Sequence, residues 1–337
     1  LRHSRPAFLT STLALVFIAF TTVRSGSTEK LDGYAEFREG AAIVVDGQVV
    51  RADKSTKFKK TDVRRLPRIP LGYEVKVTGR RMDDGTVLAK EIRARRNTDS
   101  ALDQDLRSNF DRIEQLYVAR GRMAITDPNG RVIQDIGELI RSGPMADRAT
   151  RITLSLVPPY VDPESVRVYV VDNDEWNAMA APNYSIYVFS GLLDEMDDDE
   201  VAIVLGHELA HATHEHSRRQ YDRGTWTEVG LAAAGGAAGS IDNSAGRVVA
   251  ETGALLAGTA VTNAYSRDHE DQADRVGLRY AYEAGYDVTK GPRLWERFAA
   301  KYGETDKVVN FFFGDHSRSK KREELLEREI RLNYTAP

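Results

Sequence analysis

Cysteine is absent from all 337 residues. That excludes disulfides, thiol nucleophiles, iron–sulfur clusters and every cysteine-based zinc site. Any metal must therefore sit on histidine, aspartate or glutamate, and only 7 histidines are on offer. An excess of positive charge is also missing, since 47 Lys and Arg face 51 Asp and Glu for a formal charge of −4. The chain as a whole carries no nucleic-acid signature. Beyond the first 25 residues, no apolar run reaches the 18 or so that span a bilayer. Hydrophobic residues at 41 % and charged residues at 29 % argue against global disorder, collagen and a polytopic membrane protein. At roughly 100–200 residues per domain, the length predicts two units.

Residues 1–25 carry Arg2 and Arg5, then an apolar stretch at 7–23, then Ser25 and Gly26. This is the pattern of a signal peptide, with an uncleaved N-terminal membrane anchor as the alternative. Both predict an exported protein, periplasmic or associated with the cell envelope. A lipid-anchored lipoprotein is excluded by the missing cysteine.

Residues 33–96 read as short strands and turns. Ala42-Ile43-Val44-Val45, Asp46-Gly47 and Val49-Val50 form a hairpin signal. Val75-Lys76-Val77 alternates, and Asp83-Asp84-Gly85 turns the chain towards Val87-Leu88-Ala89. The expectation is a small β-barrel-like module. From Val50 to Arg96 it holds 15 Lys and Arg against 6 Asp and Glu, a net +9. Such a charge run is either a solvated outer face or a surface for an anionic envelope or acidic partner. As a targeting unit, the module should be separable from the rest. A polar linker at 97–104 precedes a second domain at 105–337. There Leu106, Phe110, Ile113, Leu116 and Tyr117 fall at helical spacing. Asp127-Pro128-Asn129-Gly130 reads as a turn and 132–140 as a second helix; strands are expected at 166–171 and 184–189. The chain reads as mostly helical beyond Asp199.

The chemistry concentrates at 197–211, Asp-Asp-Asp-Glu-Val-Ala-Ile-Val-Leu-Gly-His-Glu-Leu-Ala-His. Acidic residues crowd the start, where a helix favours negative charge. His207 and His211 are four apart, so both imidazoles leave one face and can share a metal. Glu208 lies about 100° round the helix from His207, placed to accept a proton from water at the metal. A third ligand is found in Ser266-Arg267-Asp268-His269-Glu270-Asp271-Gln272-Ala273-Asp274, which opens another helix. Glu270 and Asp274 are also four apart. One carboxylate can bind metal while the other holds a ligating histidine by its free N–H. His214 and His216 are read as shaping or solvating the end of the metal helix, and His269 is left unassigned.

H-E-L-A-H followed by an E-x-x-x-D helix resembles the zinc metallopeptidase family of the CAAX prenyl proteases and the HtpX- and Oma-type peptidases. Asn177-Ala178, Gly191-Leu192-Leu193, Arg267, Ala273-Asp274 and Ala284-Gly285-Tyr286 follow the same layout. His316 and Arg322 resemble its late H-P-x-x-x-x-R element, with Ser317 in place of proline. The resemblance covers roughly 106–332 and leaves out the basic module. It implies an α+β fold, with a mainly helical zincin-type metallopeptidase domain and a small sheet behind the β-barrel-like module. It implies one zinc on His207, His211 and Glu270, with Glu208 as general base and Asp274 orienting a ligand. Cobalt or manganese would also suit such donors. His316 is a candidate for regulating access to the metal or, like Arg322, for stabilising the oxyanion. An edge strand of Tyr184, Ser185, Ile186, Tyr187, Val188 and Phe189 would take an extended peptide by backbone pairing.

The function expected is a zinc endopeptidase acting on unfolded or flexible segments in envelope quality control or processing. A chaperone-like assembly factor using the same cleft with little proteolysis is the rival. The partner is a protein or peptide substrate, without nucleic acid. The Gly/Ala-rich stretch at 229–264 is read as two tightly packed helices over the active site, or as a monotopic membrane contact that function does not require.

Overall fold

The computed structural model describes residues 26–59, 63–95, 101–126, 132–216, 265, 267–302 and 320–334. The expected signal peptide or anchor, the Asp127–Gly130 turn, the Gly/Ala-rich stretch and His316 lie outside them. The architecture is α+β with a barrel-like module. Among the described residues, no helix is long and apolar enough to cross a membrane.

Six strands build the module: β1 (Thr28–Glu39), β2 (Ala42–Val45), β3 (Gln48–Arg51), β4 (Lys57–Phe58), β5 (Glu74–Arg81) and β6 (Val87–Arg95). Five close on themselves in the order β3-β2-β1-β5-β6, completed by a parallel β3–β6 pair, with β4 added to β6. Alternation drives the closure. Leu31, Ala35, Ile43, Val45, Val75, Val77, Val87 and Ile92 turn inward to one core, while charged residues face out. Asp46 and Gly47 have φ of 51° and 65°, the two left-handed positions that a tight β2–β3 hairpin needs. In β1 the register slips between Ala35 and Phe37. Glu36 is the extra residue of a β-bulge, a device that re-aims side chains.

The second sheet runs β10-β11-β9-β8-β7. Its strands are β7 (Arg122–Thr126), β8 (Val132–Ile140), β9 (Arg167–Asp172), β10 (Ala178–Ala180) and β11 (Ser185–Phe189). Helix α1 (Ala101–Ala119) covers one face, with Phe110 packed against Met123, Ile136 and Tyr187. On the other face lie α2 (Pro144–Ser155), α3 (Ser190–Glu195) and α4 (Asp198–Thr213). Three further helices follow: α5 (Arg267–Glu283), α6 (Gly291–Tyr302) and α7 (Lys320–Asn333).

Three expectations change here. Residues 101–104, read as linker, already belong to α1. Residues 132–140 are a strand, because β7 pairs with them on one side and β9 on the other. Strand β11 is not an edge. It is hydrogen-bonded between β10 and β9, and the Tyr187 hydroxyl donates to the buried Glu114 carboxylate of α1. Tyr184, with φ of 63°, belongs to the β10–β11 turn. The edge is β10.

Candidate metal centre

Helix α4 starts within the acidic run, which fills its cap and first turn. The Asp197 side chain accepts from the backbone of Asp199 and Glu200, and Glu200 reaches back to Asp197, forming a capping box. Arg148 and Arg151 clamp Asp198 at 2.7 and 2.8 Å. Their hydrogen bonds hold its carboxyl below the usual aspartate range. Lys290 pairs with Asp197 and Asp199, and Arg297 with Glu200. Val201, Val204, Leu205 and Leu209 are fully buried; each contributes about 1.5–3 kcal/mol by leaving water.

Two glycines decide how near the second ligand-bearing helix comes. A Cβ at Gly206 would sit 2.5 Å from the Gly277 carbonyl oxygen, and one at Gly277 would sit 2.5 Å from the His207 nitrogen. Helices α4 and α5 therefore touch backbone to backbone, a closeness that larger side chains forbid. The glycine pair was missed in the sequence, though each stands within or beside a ligand motif.

This contact brings His207, His211 and Glu270 together. The two imidazole Nε2 atoms are 3.0 Å apart. Glu270 Oε2 lies 3.7 Å from His207 Nε2, and its Oε1 lies 3.4 Å from His211 Nε2. Donors held at about 2.0–2.1 Å by a tetrahedral ion are about 3.3 Å apart, so the three groups fit one zinc ion. All three residues are at most 2 % exposed, and a carboxylate buried that deeply calls for a cation or strong donors. Among the described residues this is the group of His, Asp and Glu that converges in this way.

The neighbours complete the arrangement. Asp274 Oδ1 is 2.9 Å from His207 Nδ1, as expected of the orienting carboxylate. Buried Glu208 accepts a 3.0 Å hydrogen bond from the Ala180 N–H of edge strand β10. Tyr265 stacks on the His211 ring with centroids 4.0 Å apart. His216 departs from its expected role, for its Nδ1 is 2.8 Å from His211 Nδ1 and the residue is fully buried. Arg322 lies in the first turn of α7, with its side chain outside the described set.

The barrel reaches this region as well. Phe37 packs on the core of the helical layer and lies under Arg279, 5.5 Å from guanidinium to ring centre. Tyr34 meets His214 edge-on at 5.0 Å and donates to Glu215 at 3.4 Å. The Gly47 turn abuts the Arg275 guanidinium, where a Cβ would come within 2.7 Å. Burial works against the Arg275 charge, but Glu36 and Asp46 hold its pKa above the ordinary arginine value. A module expected to be separable is docked beside the metal helices.

Comparison with known proteins agrees with this geometry. The sequence profile of peptidase family M48 matches residues 151–330, and that of a domain of unknown function, DUF5666, matches 33–93. The mitochondrial metalloendopeptidase OMA1 of Schizosaccharomyces pombe is 32 % identical over 158 residues, 46 % of this chain and 44 % of that protein. The metalloprotease YcaL of Escherichia coli is 34 % identical over 112 residues, 33 % of this chain and 42 % of that protein. A putative beta-barrel assembly-enhancing protease of Vibrio cholerae is 28 % identical over 146 residues, 40 % of this chain and 28 % of that protein. The chain spans less than half the length of each of these relatives. With the profile matched across more than half of its residues, the chain belongs to peptidase family M48.

Proposed function

We propose that this chain is a zinc-dependent endopeptidase that hydrolyses peptide bonds in unfolded or flexible protein segments. The observation that carries the reading is the convergence of His207, His211 and Glu270 within 3.0–3.7 Å, with the Glu208 carboxylate beside them on the same helix. Zinc held by His207, His211 and Glu270 would supply an acidified water and polarise a carbonyl. Glu208 is placed to take a proton from the attacking water and pass it to the leaving amine. Asp274 keeps the His207 ring in the tautomer that offers Nε2 to the metal.

Substrate placement follows from β10. Asn177 and Ala181 bond towards β11 through backbone groups, so the N–H of Ala180 faces the other way, as alternation in an antiparallel pair requires. That outward N–H is the one Glu208 binds. An extended segment laid along this edge passes directly over the general base.

The envelope setting is supported by the basic, apolar and small-residue pattern of residues 1–25 and by the kinship with the Vibrio cholerae protein. Exposed Lys54, Lys57, Arg65 and Arg68 support contact of the barrel with an anionic envelope surface. Their replacement by glutamate should release the chain from vesicles rich in anionic lipid while leaving hydrolysis of a short peptide unchanged.

Glu208→Gln tests the catalytic reading. The variant should keep stoichiometric zinc and lose roughly 10²–10⁴-fold in cleavage of an unfolded protein. Cleavage at the parent rate would overturn the assignment. Suppression of aggregation that survives the substitution, in a parent that does not cut, would favour the chaperone-like rival.

A further inference from the structure

On the side of the ring away from Glu270, His211 meets His216, where His207 meets the Asp274 carboxylate. The Nε2 of His211 faces His207 and Glu270, so when it binds metal the ring proton resides on Nδ1. From there a directed chain of donors runs outward. His211 Nδ1–H donates to His216 Nδ1 at 2.8 Å, which leaves the His216 proton on Nε2. His216 Nε2–H donates to Gln272 Oε1 at 2.9 Å. Gln272 Nε2 donates to Glu36 Oε1 at 2.6 Å. The chain ends on a carboxylate that belongs to the barrel, on the bulged residue of β1. All four residues are at most 3 % exposed. His216 is also clamped flat against His269, with ring centroids 4.5 Å apart and planes 4° from parallel.

We propose that Glu36 is a positioning residue for the metal centre, acting through Gln272 and His216 to orient His211, so that the barrel is a working part of the peptidase. The inference rests on the metallopeptidase reading above. Every donor in the chain points towards the Glu36 charge, and each link fixes the tautomer of the next. A carboxylate reached in this way orders the chain of donors that holds the ligating ring, and loss of the partners that hold such a ring costs metal affinity about 10–100-fold. Glu36 is itself fixed by the Gly47 N–H at 3.3 Å and the Arg275 guanidinium at 3.5 Å.

The test is zinc affinity of the full chain, measured by competition with a chromophoric chelator. Glu36→Gln and Gln272→Leu should each weaken zinc binding about 10–100-fold in protein that circular dichroism shows to be folded. The double variant should bind no more weakly than Gln272→Leu alone, because one chain is cut in both. Tyr34→Phe, which touches the same interface outside the chain, should bind zinc as the parent does. Parent affinity in Gln272→Leu, additive losses in the double variant, or an equal loss in Tyr34→Phe would each overturn the proposal. Should Glu36→Gln not fold, Gln272→Leu decides, because it leaves the Glu36 contacts with Gly47 and Arg275 in place. A parent that binds no zinc would sink the metallopeptidase reading instead.

Discussion

His207 and His211 each meet a group on the far side of the ring, and the two partners differ. His207 leans on Asp274 in one 2.9 Å step. Asp274→Ala should therefore weaken zinc binding about 10–100-fold while Glu208 keeps its contact with Ala180; chelator competition on the purified chain checks it, and an unchanged affinity would show that His207 is held by other means. The residues of this direct arrangement were legible in the sequence. His207 with His211, and Glu270 with Asp274, stand four apart, and helical geometry alone puts each pair on one face. His216, Gln272 and Glu36 were not legible as a set. Gln272 and Glu36 are 236 positions apart, and nothing in a strand pattern marks a glutamate that a bulge will turn towards another domain.

Among the elements, the α4–α5 contact sets the distance between ligands. Gly277→Ala would ordinarily stabilise a helix by about 1 kcal/mol. Here the new methyl meets the His207 backbone, and overpacking of this kind costs about 1–3 kcal/mol. A lower melting temperature is expected together with weaker zinc binding, since the helices must part to admit it. Calorimetry with and without zinc would show both; a stabilised variant would mean the helices yield freely. The start of α4 makes a second prediction. Hydrogen bonds from Arg151 and Arg148 lower the Asp198 pKa in the folded chain. Its contribution is thus present above the ordinary aspartate value and is lost as pH falls through the folded one. Asp198→Asn should melt below the parent at neutral pH and converge with it as pH falls below the folded Asp198 value, as melting curves from neutral to acid would reveal. Parallel curves would remove Asp198 from the acid response.

Element type was readable where pattern and pairing agreed. The Asp46-Gly47 hairpin and the capped metal helix are cases in point, because turn chemistry and capping are local. It failed at 132–140, where Val132, Ile133, Ile136, Leu139 and Ile140 satisfy a helical period, yet hydrogen bonding to β7 and β9 on either side settles the strand. The edge was misplaced for a related reason. Ala-Met-Ala at 178–180 is short and poor in β-formers, and which strand lies outermost is a property of the sheet order.

At the scale of the molecule, the barrel and the peptidase part share buried charge. Glu36 is paired with groups of α5, and Tyr34 and Phe37 seal the same face. Breaking such an interface leaves charges without partners, which typically costs 3–5 kcal/mol or so. Heating of the full chain should accordingly show one cooperative transition. Two resolved transitions in calorimetry, with the barrel melting apart from the rest, would show that the modules stand alone. The same coupling speaks against a separable module, because a chain truncated before residue 97 would lose Glu36 as well as a covering surface.

The bulge in β1 has a consequence for how such a pairing of modules could arise. Regular alternation would place one of Glu36 and Phe37 inside the barrel; the slipped register turns both outward, an anion for the relay and a ring for the seam. One residue added to the strand thus sets which side chains of the barrel meet its neighbour. Deleting that residue should leave a sound barrel whose enzyme has lost its hold on one imidazole.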